Sequence, residues 1–206
     1  MTLTYDPRIF LCETEAAARS IILTPEAGLS TEDRWEQETA WLKERMSFPE
    51  GLVIDYGCGI GRLSKVIGDS NSVLGVDLSW SMRSQAEMYV QSGIFGAVSP
   101  TMLSCLVAAG LQASGALSVW CLQHCLHPKQ DITLLHAALR KGGVLYVVNR
   151  NNRCIPARQD GAFIWADDEQ HIDTLLTGGG FRVVHREAMP ETLCAAGADF
   201  TVLARI

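Results

Sequence analysis

The stretch from Leu52 to Arg62, LVIDYGCGIGR, constrains this chain more than any other. An apolar run, Leu52 to Ile54, ends in the carboxylate of Asp55. Three glycines then fall at alternate positions, Gly57, Gly59 and Gly61, before a helical pattern begins near Leu63. The pattern is strand, tight turn, helix. Glycine serves where a backbone must take φ > 0 or come into contact with a ligand, and the helix that follows aims free N–H groups at the same spot. The loop is built to lie against a bound molecule.

A second short apolar strand, Ser72 to Val76, follows the glycines and ends in Asp77. An acid at that place in a βαβ nucleotide-binding unit accepts hydrogen bonds from both ribose hydroxyls, because a carboxylate is acceptor-only and serves both at once. The implied ligand is a nucleoside. The dinucleotide fingerprint GxGxxG needs its third glycine at position 62, where this chain has Arg62, and it normally lacks an acid just ahead of the first glycine, where Asp55 stands.

These residues carry a family resemblance. VIDYGCGIG, followed by GVDLSWSM at Gly75 to Met82, resembles the cofactor-binding half of class I, Rossmann-like S-adenosylmethionine (SAM) dependent methyltransferases, whose first motif is an acid followed by GxGxG. The resemblance is motif-level from Leu52 to about Gln85 and topological beyond. It implies SAM as cofactor and S-adenosylhomocysteine as product. It implies cofactor contacts at Asp55, Gly57, Cys58, Gly59, Gly61, Asp77, Leu78 and Met82, and also at Leu122 and Gln123, because LQH matches the family's xLxH segment closing the fourth strand. Two departures stand out. The acid often found after the third strand is replaced by the neutral Ser99 and Thr101, and the Asp that commonly opens the fourth strand is replaced by Gly115 and Ala116.

At 206 residues and 22.5 kDa the chain is read as a single methyltransferase domain, with residues 1–50 an N-terminal helical cap and 51–206 the core. A net charge of −6 argues against holding a long nucleic-acid backbone, whose affinity comes mainly from neutralising phosphates. No apolar run approaches the ~20 residues that span a bilayer, and Met1 to Ser20 has no leader pattern, so no membrane partner and a cytoplasmic location are expected. The seven cysteines, odd in number and irregular in spacing, read as free thiols. Cys121, His124, Cys125 and His127 crowd one turn without the two-plus-two spacing of zinc sites, and no metal is expected.

Taken in order, the chain predicts a short helix over Glu13 to Ile22 and a helix from Ser30 or Thr31 to about Met46, with Trp35, Thr39 and Leu42 on its apolar stripe. Strands are predicted at Phe95–Val98, Ala116–Cys121, Gly143–Val148, Phe181–Glu187 and Phe200–Ile206. The helices between them are Ser79–Gly93, Met102–Leu111, Asp131–Arg140 (closed by Lys141, Gly142 and Gly143) and Asp168–Thr177. Alternating strands and helices specify a doubly wound α/β sheet, mostly parallel, and the last two strands, joined without a clear helix, form an antiparallel pair. The family version has seven strands with the last reversed. The polar stretch Asn149 to Asp168 is too long and too decorated for a connector.

For methyl transfer the protein mainly aligns donor and acceptor, and a base is needed only if the acceptor must lose a proton. His124 is the candidate base, the alternative being a hydrogen-bonded His at the pocket edge. Asn149, Arg150 and Arg153 are the substrate candidates, at least one of Arg150, Arg153 and Arg158 is expected to contact an anionic group of the acceptor, and Arg34 is a candidate for the cofactor carboxylate. Three functional classes stay open: a methyltransferase acting on a small-molecule acceptor, a nucleotide-dependent oxidoreductase, and a SAM-binding protein without catalysis.

Overall fold

The computed structural model describes residues 4–93, 95–150, 153–168 and 171–206. The N-terminal segment contributes β1 (Thr4–Tyr5), a 3-10 turn (Pro7–Phe10), α1 (Glu15–Ile22) and α2 (Thr31–Arg45). There follow β2 (Leu52–Tyr56), α3 (Arg62–Ile67), β3 (Ser72–Val76), α4 (Trp80–Val90), β4 (Phe95–Val98), α5 (Pro100–Ala108) and β5 (Ala113–Val119). A 3-10 turn (Leu122–His124) leads to α6 (Pro128–Ala138), β6 (Leu139–Asn149), β7 (Arg153–Gln159), β8 (Ala162–Asp168), α7 (Ile172–Gly178), β9 (Phe181–Ala188) and β10 (Asp199–Arg205).

The main sheet has seven strands in the order β4-β3-β2-β5-β6-β10-β9. Pairing is parallel from β4 to β6, and β10 runs antiparallel to both β6 and β9. Each central strand is covered on both faces, as successive residues of β2 show. Ile54 sits in the cluster with Leu103, Leu135, Leu176 and Phe181 on one face, and Val53 with Leu42, Leu63 and Phe200 on the other. A third cluster joins Ala18 of α1, Trp35 of α2, Ile60 of the loop and Met82 of α4. Strand order reverses between β2 and β5, so the carboxyl ends of β2, β3 and β5 frame a crevice.

Helix starts follow local capping chemistry. Ser30, Ser79 and Ser99 each accept a hydrogen bond from the backbone N–H three residues on. The apolar stripe of α2 corrects the sequence reading: Arg34, Trp35, Glu38 and Leu42 are buried, with Glu38 in place of Thr39. Three boundaries also move. β5 begins at Ala113, placing Gly115 and Ala116 inside the strand. α6 stops at Ala138, before the expected Lys-Gly-Gly cap, because fully buried Leu139 is already paired with Ala113. The helix expected from Asp168 starts at Ile172, since β8 still holds Asp168; residues 169 and 170 lie outside the described set.

The polar stretch after β6 is a hairpin. β7 and β8 pair in register from Arg153↔Asp168 to Gln159↔Ala162, across a two-residue turn in which Asp160 and Gly161 have φ of 51° and 86°. Both positive angles fit the primed hairpin turn that Asp-Gly favours. Thr4 and Tyr5 pair with Arg158 and Ala157, making a second sheet of three strands. The N-terminus and the hairpin thus form one wall over the crevice.

Candidate functional site

A cavity of about 550 Å³ opens at the carboxyl ends of β2, β3 and β5, within the size range of small-molecule sites. At one end lies the glycine loop. Gly57 has φ 82° and a side chain there would collide with Cys121 at 2.3 Å; Gly59 has φ 53° and meets Ile22 of α1 at 2.5 Å. At Gly57 the left-handed angle and the Cys121 Cβ together require glycine, while at Gly59 the left-handed angle favours it and the neighbour is the flexible tip of Ile22. The loop is stitched to the neighbouring strand, since Gly57 and Cys58 both donate their backbone N–H to the Val76 carbonyl, at 2.7 and 3.0 Å.

Asp77 lines the cavity beside this loop. One carboxylate oxygen accepts from the Gly59 N–H at 2.9 Å and the other from the Ser79 N–H at 2.8 Å. Burial raises its pKa against the pull of these two bonds. The carboxylate therefore sets the loop and the start of α4 as well as facing the crevice. Leu78, more than half exposed, and Met82, buried, line the same end.

Asp55, Cys58, Gly61 and Leu122, also expected as cofactor contacts, stand behind the cavity wall. Asp55 is buried and accepts from the Ser64 hydroxyl at 2.6 Å; burial pushes its carboxyl up to about 6, despite Ser64 and the nearby Arg62. Cys58 is buried, and burial pushes its thiol well above the usual range. Gly61 faces Val90 of α4, and Leu122 is fully buried in the core. None of these four belongs to the cavity lining. The sequence pattern alone does not distinguish residues that face the cavity from those that stand behind it.

The opposite end of the cavity is assembled from distant segments. The N–H of Arg150 donates to Gln123 Oε1 at 2.7 Å, which fixes the amide so that its NH2 faces His124 Nε2 at 2.9 Å. His124 Nδ1 then carries the proton and donates to the Cys154 carbonyl at 2.6 Å. Burial lowers the His124 pKa, with Arg150 adding to the effect against the bond to Cys154. The ring is thus a neutral brace between the turn, the end of β6 and the hairpin, with both nitrogens bonded. Phe10 and Trp165 stand beside it, at ring centroids 6.1 and 4.9 Å. Deeper in, the Tyr56 hydroxyl donates to Asp131 of α6.

The substrate candidates separate. Arg150 lines the cavity but pairs with Glu26 at 3.0 Å. Arg153 is buried and donates to the carbonyls of Cys125 and Leu126, and Arg158 pairs with Asp6 at 2.6 Å. Asn149 is buried outside the cavity lining, its Oδ1 accepting from the Gln123 N–H at 3.4 Å. Ser99, at the place where the family often has an acid, uses its oxygen as the cap of α5.

A buried ion network, with no signal in the sequence, underlies the site. Glu38 accepts from Arg62 at 2.6 Å and from the Trp120 indole at 2.8 Å, and Arg34 lies 3.5 Å away. Arg34 also pairs with Glu26 at 2.9 Å. Arg62, at the place where a dinucleotide loop has its third glycine, is therefore tied to α2. Trp120 lines the cavity with φ 57°, a conformation rare for a bulky side chain, held by this bond.

Residues 32–202 match the methyltransferase domain family. The chain belongs to that family. No protein of curated function matches the sequence. Among solved structures, a SAM-dependent methyltransferase from Mesorhizobium loti superposes with TM-score 0.60 at 17% identity, covering 83% of this chain and all of its own, 100%. Magnesium protoporphyrin IX methyltransferase from Synechocystis, solved with bound SAM, gives 0.59 at 20% identity, covering 84% and 78%. The [4+2]-cyclase SpnF gives 0.63 at 15%, covering 89% and 85%. At these identities the likeness is one of fold, and it confirms the class I methyltransferase architecture. Among the described residues, no helix is long and apolar enough to cross a membrane.

Proposed function

We propose that this methyltransferase binds SAM along the glycine loop and Asp77 and transfers its methyl group to a small-molecule acceptor lodged at the far end of the cavity. The observation that carries the reading is the meeting of Gly57, Gly59 and the Asp77 carboxylate on one wall of a 550 Å³ crevice at the switch in strand order. The residues fit the cofactor. Asp77 has spent one lone pair per oxygen on backbone N–H groups and keeps others for ribose hydroxyls, and Gly57 and Gly59 line the cavity without side chains of their own.

SAM supplies a sulfonium methyl whose leaving group departs neutral. The chain's own residues bind, align and exclude water. Asp77 and the loop fix the donor, and the wall of Tyr5, Phe10 and Trp165 shields the acceptor end. His124, bonded at both nitrogens, positions the turn. Calorimetric titration with SAM, S-adenosylhomocysteine, NAD and NADP tests the reading. SAM and S-adenosylhomocysteine should bind and the two dinucleotides should not; binding of a dinucleotide in their place would overturn it.

A further inference from the structure

The charges around the cavity do not favour an anionic acceptor. Arg150 and Arg34 both pair with Glu26, Arg34 also adjoins Glu38, and Arg153 is committed to backbone carbonyls. Asp77 is held at the loop by two N–H groups. Asp131 differs from all of these. It lines the cavity from the first turn of α6, and among the described residues no Lys, Arg or His forms an ion pair with it. Its bonded partners are neutral: the Tyr56 hydroxyl and the Cys125 thiol.

The surroundings are aromatic. Tyr5 and Tyr56 both line the cavity close enough to Asp131 for its charge to add to burial in pushing their phenols up, Tyr5 to about 12. Both rings stay neutral through the physiological range. A carboxylate without a fixed counter-charge, in a recess flanked by neutral aromatic rings, attracts a positive nitrogen through Coulomb attraction and through the ring quadrupoles. In this chain Asp131 could also serve only the dipole of α6, but that role needs no opening onto a cavity and confers no selectivity on a ligand.

We propose that the acceptor carries a protonated amine or another cationic nitrogen, received by Asp131 between Tyr5 and Tyr56. The assignment rests on the methyl-transfer reading of the same cavity and names the class of molecule it takes. It replaces the expectation, drawn from Arg150, Arg153 and Arg158, of an anionic acceptor.

The test compares matched ligands by calorimetry at pH 7 with S-adenosylhomocysteine present. One triad is phenethylamine, 2-phenylethanol and phenylacetate; a larger one is tryptamine, tryptophol and indoleacetate. In at least one triad the amine should bind roughly tenfold or more tighter than its alcohol and acid, a difference of about 1.4 kcal/mol. Asp131→Asn should erase that preference while S-adenosylhomocysteine affinity stays within about twofold. No triad favouring the amine, a carboxylate favoured in either, or a preference kept by Asp131→Asn overturns the proposal. The wild-type comparison decides even if the variant is unstable. Failure of the wild-type chain to bind S-adenosylhomocysteine overturns the methyl-transfer reading instead, so the two failures are distinguishable.

Discussion

The two ends of the cavity are put together from the chain in opposite ways. The loop end comes from consecutive elements, β2, α3, β3 and the start of α4, and its polar groups are satisfied by backbone within that stretch: Asp77 by Gly59 and Ser79, the Val76 carbonyl by Gly57 and Cys58. The far end takes Tyr5 from β1, His124 from the turn after β5, Asp131 from α6 and Trp165 from the hairpin. A ligand part common to a whole family can be met by a local backbone device. The part that differs between members is met by segments brought together from outside the central unit, where change costs the sheet little.

The largest expected effect tests how far the loop end depends on what lies outside it. Glu38→Ala strips the fully buried partner of Arg62 and Trp120 and leaves the Arg62 and Arg34 charges buried, which typically costs about 3–5 kcal/mol. Chemical denaturation measures it. A loss under about 1 kcal/mol would show that α2 is a passive cover.

Next comes the carboxyl behind the loop. Asp55 rises from 3.8 to about 6 by burial, so the folded chain keeps a proton that the unfolded chain releases. That stabilisation is present in full below about pH 4, declines as pH rises, and is gone above about pH 6, a swing of about 3 kcal/mol at 1.36 kcal/mol per unit. Asp55→Asn, whose amide oxygen still accepts from Ser64, should remove it. Denaturation of both proteins across that window checks the point; parallel curves would sink the burial argument.

Asp77→Ala should weaken S-adenosylhomocysteine roughly 10- to 100-fold, about 1.4–2.8 kcal/mol, by losing charge-assisted bonds. It should also free the Gly59 and Ser79 N–H groups, visible as faster amide exchange at those two positions. Unchanged affinity would break the equation of the loop end with cofactor binding.

The smallest effect belongs to the far end. His124 should remain the neutral Nδ1–H tautomer near neutrality and titrate below the usual 6.5, a point read by ¹⁵N chemical shifts. His124→Ala should cost roughly 1 kcal/mol of stability and, once an acceptor is known, less than tenfold in kcat. A 100-fold loss of kcat, with a wild-type rate rising through a pKa near 7, would restore the base reading.

Much of the loop end is legible in the residue order alone. Asp55, the glycine triplet, Asp77 and the Ser30 and Ser79 caps are local signals: backbone angles and the nearest N–H groups determine what residues can stand there. The hairpin is also written locally, in Asp160-Gly161 between two strand-like runs, but the arginines around it suit a substrate loop equally well. Glu38 carries no such signal. An acid in the stripe of a helix looks solvated until the guanidinium of Arg62 is placed against it from another element.

By itself, then, the sequence determined the parallel sheet, the crevice at its switch point and the residues of the glycine loop, because periodicity and turn chemistry act between near neighbours. Only the tertiary structure decided which motif residues face the cavity and which prop it from behind, and that the arginines near the hairpin are already spent. It alone joined Tyr5, Tyr56 and Asp131 at the far end. Charge pairing acts over a few ångströms regardless of separation along the chain, so whether a charge is neutralised is known only once its spatial neighbours are.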